Sequence, residues 1–392
     1  MTTLVLISAL LASTGGSALL ASTGGVRIPQ DAGEVLEQVP PRSDPQAQAV
    51  RVLEAKLRAA PNDATVAADA ARSFLALSIE QGDPRWTGRA QSALHPWWDS
   101  SAPPEPIRVL RAAIRQHNHD FPAALKDLDQ AVKEAPQDAQ AWLTRATVLQ
   151  VRGEYPAARI SCGPLVKLAR PLVSAACLAS VASLSGGARQ GEALLTHILA
   201  EDDGREPGTR VWALTLLAEI AARRGDAAAA DASFKRALAA GPPDAYLLAS
   251  YSDFLLDEGR AAEVLPLLGD KTQADALLLR LALAEKATKG KGLAAHVETL
   301  RQRFEDSKIR GDTVHRREEA MFRLHLLGDS VSALQLARAN WEVQHEPLDA
   351  RILLEAASAA KSPGEAKPAL DFLALNHVED AQLARLRGQG TR

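Results

Sequence analysis

From Gln46 onward, apolar residues recur every three to four positions, and the pattern is broken only by short turn signals. These include Pro61-Asn62-Asp63, Gly82-Asp83-Pro84, Pro103-Pro104, Pro136-Gln137-Asp138, Gly153-Glu154, Gly186-Gly187, Gly225-Asp226, Gly241-Pro242-Pro243, Gly259-Arg260 and Gly328-Asp329. A repeat of three to four residues predicts amphipathic helices, here of about 12–17 residues. Short helices joined by tight turns make antiparallel helical hairpins.

The turns are themselves periodic. His119, Gly153, Gly187, Gly225 and Gly259 lie 34, 34, 38 and 34 residues apart, and Gly328 follows 69 residues later, close to two further periods. The longer interval holds the extra segment Asp202-Asp203-Gly204-Arg205-Glu206. Val211 to Asp244 is the cleanest unit: Leu214, Leu217, Ala218 and Ala221 on a first helix, Gly225-Asp226 at the turn, Ala230, Phe234 and Ala237 on a second, Pro242 at the close. Ala139 to Leu172 repeats the pattern through Trp142, Ala146, Leu149, Gly153, Tyr155 and Ala158, and departs from it at Arg145 and Cys162. Phe121, Ala124, Leu128, Ala131 and Pro136 fit an earlier second helix, and Tyr251, Ser252, Leu255 and Gly259 a later first one.

With these residues the chain resembles the tetratricopeptide repeat (TPR) family, whose unit is a 34-residue helix-turn-helix. The resemblance implies an all-α, right-handed superhelical array of about eight or nine hairpins. Small residues let neighbouring backbones approach, and a bulky residue one turn on fills the gap. The expected organisation is a signal peptide over 1–25, a linker over 26–45, degenerate helical repeats over 46–104, a regular array over 105–278, degenerate repeats over 279–378, and a capping helix and tail over 379–392.

The first charged side chain is Arg27, and Leu4 to Leu11 forms a short apolar core followed by small residues. This resembles a secretory signal peptide, although no Lys or Arg stands near the start. Ser8 to Gly16 is repeated without change as Ser17 to Gly25. The glycines of that duplication argue against a spanning helix. The expected compartment is periplasmic or extracellular, with a cytoplasmic location as the alternative.

Composition narrows the picture further. Alanine is about a fifth of the chain and aromatic residues are 4%, which disfavours a large β-sheet protein. Lys and Arg number 45 against 48 Asp and Glu, without the basic excess of a nucleic-acid binder. No phosphate loop, dinucleotide fingerprint, serine elbow or zinc-protease motif is present, so no enzyme activity and no cofactor are expected. His117-Asn118-His119 has no further ligands nearby and reads as a polar turn. The Trp97-Trp98 pair reads as a cover on the end of a core, with stacking on a ligand as its functional alternative.

Two features remain. Cys162 and Cys177 lie on facing helices across the turn near Ala169-Arg170-Pro171; either a disulfide or two buried thiols fits that placement. In stacked hairpins the first helices line the concave face. Helical spacing then selects Trp212, Thr215, Glu219 and Arg223, their counterparts Tyr246, Asp253 and Asp257 one repeat on, and Gln140 and Thr147 upstream. These would form a groove for an extended peptide with an apolar and a basic side chain. The expected function is a non-catalytic protein-interaction scaffold of the bacterial cell envelope whose partner is another protein or peptide. The alternative is a ligand-binding or enzyme-associated subunit using the Trp97-Trp98 loop or the acidic groove.

Overall fold

The computed structural model describes residues 45–311 and 314–389. The signal segment over 1–25, its nine-residue duplication and the linker as far as residue 44 lie outside the described residues. The chain divides into two units, Met1–Arg51 and Val52–Arg392. Of the first, only the start of helix α1 (Pro45–Ala59) is described. All the later helices belong to the second unit.

That unit holds nine helical hairpins among the described residues. They are α2 (Ala64–Gln81) with α3 (Pro84–Ala93); α4 (Glu105–His117) with α5 (Phe121–Glu134); α6 (Ala139–Val151) with α7 (Tyr155–Cys162) and the short α8 (Leu165–Leu168); and α9 (Pro171–Ser183) with α10 (Ala188–Glu201). Next come α11 (Pro207–Arg223) with α12 (Ala227–Ala240), α13 (Ala245–Asp257) with α14 (Ala261–Leu268), and α15 (Asp275–Thr288) with α16 (Leu293–Ile309). The last two are α17 (Arg316–Met321), continued by a π-helical turn over Phe322–Leu327, with α18 (Ser330–Trp341), and α19 (Pro347–Ala359) with α20 (Lys367–Leu375). Helix α21 (Ala381–Gln389) ends the described array, and there is no strand among the described residues. Each first helix packs on its own second helix and on the first helix of the next hairpin. The molecule is a TPR-like α-solenoid.

The turns explain why the helices stop where they do. Gly82, Gly225 and Gly328 adopt left-handed backbone, and each is followed by an aspartate that caps the next helix. Asp83, Asp226 and Asp329 accept backbone N–H bonds from Arg85, Ala229 and Ser332, satisfying donors that a helix start leaves free. His119 takes φ 56° where the other turns use glycine, and Asp120 then caps α5. In the fourth hairpin the left-handed residue is Gly186, not the Gly187 used to count the period, so the interval shortens on one side and lengthens on the other.

The cleanest repeat packs as its pattern requires. Leu214, Leu217, Ala218, Ala221, Ala230, Phe234 and Ala237 are all buried. The Phe234 ring stacks on Tyr251 of the next hairpin at 4.9 Å and meets Phe254 at 5.5 Å, which joins consecutive units through aromatic contacts.

Cys162 and Cys177 form a disulfide that ties the end of α7 to α9, with Cα atoms 5.8 Å apart. It lies where Gly163-Pro164 interrupts the second helix of its hairpin, and both cysteines are buried. The bridge closes a loop of 15 residues, for which the chain-entropy model gives roughly 3 kcal/mol. Reduction should therefore lower the melting temperature while leaving the helical circular dichroism signal in place. Unchanged melting with and without reductant would remove the stabilising role, and peptide mapping under non-reducing conditions reports the linkage directly.

The array also meets itself. The backbone N–H of His345 donates to Val151 O at 2.7 Å, His345 Nδ1 contacts Arg152 O at 3.0 Å, and Tyr155 OH donates to His345 O. A carbonyl only accepts, so Nδ1 carries the imidazole proton. Phe372 lies beside Tyr155, Trp341 and His345, with ring centroids 5.1–5.8 Å away. The turns of the first, third, fourth and fifth hairpins lean on later parts of the chain: Gly82 on Ala245 and Ala274, Gly153 on Phe372, Gly186 on His377 and Gly225 on Ala381. The solenoid therefore closes onto its own C-terminal hairpins. Among the described residues no helix is long and apolar enough to cross a membrane.

Candidate functional site

Closure turns the concave face into a cavity of about 530 Å³. It is lined by the first helices of seven successive hairpins, α6 to α19, and by the start of α21. Five of the sequence-selected residues meet there: Glu219, Arg223, Tyr246, Asp253 and Asp257.

Four do not. Thr215 is 1% exposed and its hydroxyl donates to Val211 O, so it belongs to the core side of α11. Trp212 shares a face with Glu219 but sits two turns nearer the helix start, about 10 Å along the axis. It packs against the apolar core outside the cavity. Gln140 reaches Thr144, and the Thr147 hydroxyl bonds Leu143 O, both within α6. Of that helix, Gln150 lines the cavity. The cavity stripe on α11 is thus Leu216, Glu219, Ala222 and Arg223, a narrower set nearer the helix end.

The charges there are largely matched within the chain. Asp253 pairs with the buried Arg280 at 2.6 Å, and Asp257 pairs with Arg351 at 2.7 Å. Arg351 also holds Glu355, and Arg317 bridges Glu318, Glu346 and Asp349. The carboxylates expected to grip a basic side chain of a partner, Asp253 and Asp257, are therefore already taken by arginines from later hairpins. Burial raises the Asp257 carboxyl above its usual value against the pull of Arg351. Burial opposes ionisation of Glu318 too, but Arg317 and Arg280 overcome it and hold that group at about 2.

Glu219 and Arg223 stand apart from these pairs. Glu219 Oε1 accepts hydrogen bonds from Tyr246 OH and Ser250 Oγ, each at 2.7 Å. Arg223 Nη2 donates to Ser183 Oγ at 2.7 Å, and its Nε is buried with no partner. Burial raises the Glu219 carboxyl, and the nearby Arg223 opposes that shift. Tyr246 is 47% accessible, yet its hydroxyl is pushed well above the usual phenol range by the protein packed round it. Tyr246 lines the cavity.

The Trp97-Trp98 loop is held from beneath. Arg111, 4% exposed, donates through Nη1 to the carbonyls of Trp97, Trp98 and Ser100, each at 2.8 Å. It also pairs with the buried Asp127, while Arg115 lies over the Trp98 ring. The loop caps the α4–α5 hairpin and lies away from the cavity. His117 and His119 flank a turn. No cluster of three or more metal-ligating side chains occurs among the described residues.

Arg280 was within reach of the sequence, because it lies one 34-residue period after Tyr246. Arg317, Glu346 and Arg351 carried no such signal. They reach the cavity only because the last hairpins fold back over it.

No family model matches this sequence, and no curated protein matches it. Among solved structures, it is similar to a tetratricopeptide repeat protein from Parabacteroides merdae, at 12% identity and a TM-score of 0.38 over 64% of this chain and 98% of that one. It is also similar to the TPR domain of P58(IPK), at 13% identity and a TM-score of 0.22 over 81% of this chain and 94% of that one. The hairpins of the chain itself define its fold.

Proposed function

We propose that this chain is a non-catalytic binding scaffold of the bacterial cell envelope, with the closed cavity as its binding site and another protein or peptide as its partner. The observation that supports this reading is convergence: inner side chains from seven successive hairpins meet on one cavity. Envelope location is proposed from the uncharged N-terminal segment, and the disulfide is in keeping with an oxidising compartment.

A photo-crosslinking residue placed at Ala249, inside the cavity, tests the site. The same residue at Lys235, exposed on the second helix α12, is the control. A discrete protein adduct from position 249 and none from 235 is the expected result. Equal labelling from both would remove the cavity as the binding site.

A second reading is favoured by closure itself. A cavity of about 530 Å³ is of the size that takes small molecules, commonly ~300–1,000 Å³. The back-folded hairpins also obstruct the long open groove that an extended peptide needs. On this reading the chain is a ligand-binding accessory subunit, and native mass spectrometry of the purified protein would show a bound small molecule in place of a protein adduct.

A further inference from the structure

Glu219 and Arg223 are four residues apart on α11, with the acid N-terminal to the base. That is the order in which opposite charges on a helix pair best, with Cβ atoms about 5–6 Å apart. Here no ion pair joins them. Glu219 is drawn towards α13 by Tyr246 and Ser250, and Arg223 towards α9 by Ser183. Helices α9 and α13 flank α11 on opposite sides, so the two heads are held apart. Of the other arginines lining the cavity, Arg280, Arg317 and Arg351 each have a carboxylate partner, and the exposed Arg385 contacts Gln382.

Both side chains are half-buried, so each gives up part of its water while no direct ion pair forms between them. A purely cationic occupant would satisfy Glu219 and leave Arg223 unmet. A purely anionic one would do the reverse, and a neutral one would satisfy neither charge. An occupant carrying both charges satisfies both. Leu184, Leu216 and Phe254 supply an apolar wall beside the two heads.

We propose that the cavity binds a small zwitterion of the α-amino-acid class, its ammonium group on Glu219, its carboxylate on Arg223, and an apolar side chain against Leu184, Leu216 and Phe254. This rests on the second reading above, in which the cavity takes a small ligand. Tyr246 and Ser250 position the Glu219 carboxylate, and Ser183 positions the guanidinium.

Titration calorimetry of the full chain with three probes tests the proposal: L-leucine, leucinamide without the carboxylate, and 4-methylpentanoate without the ammonium group. Leucine is expected to bind at least tenfold more tightly than either analogue. Arg223→Gln should abolish the preference of leucine over leucinamide, and Glu219→Gln its preference over 4-methylpentanoate, with the circular dichroism spectrum unchanged. Absence of leucine binding, or equal binding of the three probes, overturns the zwitterion assignment. Ala249→Trp fills the cavity and separates the location of the site from the class of its ligand. If leucine binding survives that substitution, the site lies elsewhere. If a native small molecule is lost on filling the cavity but leucine never binds, the cavity reading stands and the ligand class is wrong.

Discussion

Replacing Asp127 with alanine is expected to destabilise the N-terminal hairpins by about 3–5 kcal/mol, the range for removing one partner of a buried ion pair. Asp127 takes both arms of Arg111, at 2.6 and 2.8 Å, and also Arg115 at 2.7 Å. Without it, Arg111 is left charged, buried and facing only backbone carbonyls. Arg115 is more accessible and can turn to solvent. In a repeat array such damage stays local, so the α2–α3 and α4–α5 hairpins should melt before the rest. The check is tryptophan fluorescence, with Trp142, Trp212 and Trp341 replaced by phenylalanine so that Trp86, Trp97 and Trp98 report on these hairpins, set against circular dichroism of the whole chain. An early fluorescence transition that precedes the main helical melt is expected; a single unchanged transition would show that the cluster contributes little. Replacing Arg111 and Asp127 together by leucine should recover part of the loss, because no lone charge then remains buried.

The second large effect concerns closure. Gly153 has φ +76°, and a Cβ there would stand 2.5 Å from the Phe372 ring and 3.2 Å from the His345 Cβ. Gly153→Ala therefore meets two penalties: about 1–2 kcal/mol for a left-handed L-residue and about 1–3 kcal/mol for overpacking. The contact that gives way first is the one between the third hairpin and the last, where Gly153 meets Phe372 and His345. Small-angle scattering should show a larger radius of gyration with helical content retained, and amide exchange should speed up around His345. An unchanged radius together with unchanged exchange at His345 would mean that the closure tolerates the extra methyl group.

The sequence carried the repeat unit because every signal for it is local. Gly225 followed by Asp226 ends one helix and caps the next through contacts within four residues. Leu214, Ala218, Phe234 and Ala237 face one another within a single hairpin, so a 34-residue window contains the whole packing pattern. Placement of the two cysteines on facing helices was legible for the same reason. Helical spacing alone placed Glu219, Arg223, Tyr246, Asp253 and Asp257 on the cavity and missed it for Gln140, Thr147, Trp212 and Thr215, because a stripe chosen at three- and four-residue steps crosses boundaries that only packing defines.

Tertiary structure alone decided that the groove is closed. Closure depends on a small rotation between hairpins that accumulates over the array, and no single repeat encodes the total. It joins His345 to Arg152 across 193 residues and Arg351 to Asp257 across 94, through ordinary polar side chains with no distinguishing local pattern. The same closure gives Asp253 and Asp257 arginine partners and leaves Glu219 and Arg223 facing a shared space. Local patterning determined which surfaces exist in this protein, and the summed curvature of the repeats decided which of them face each other.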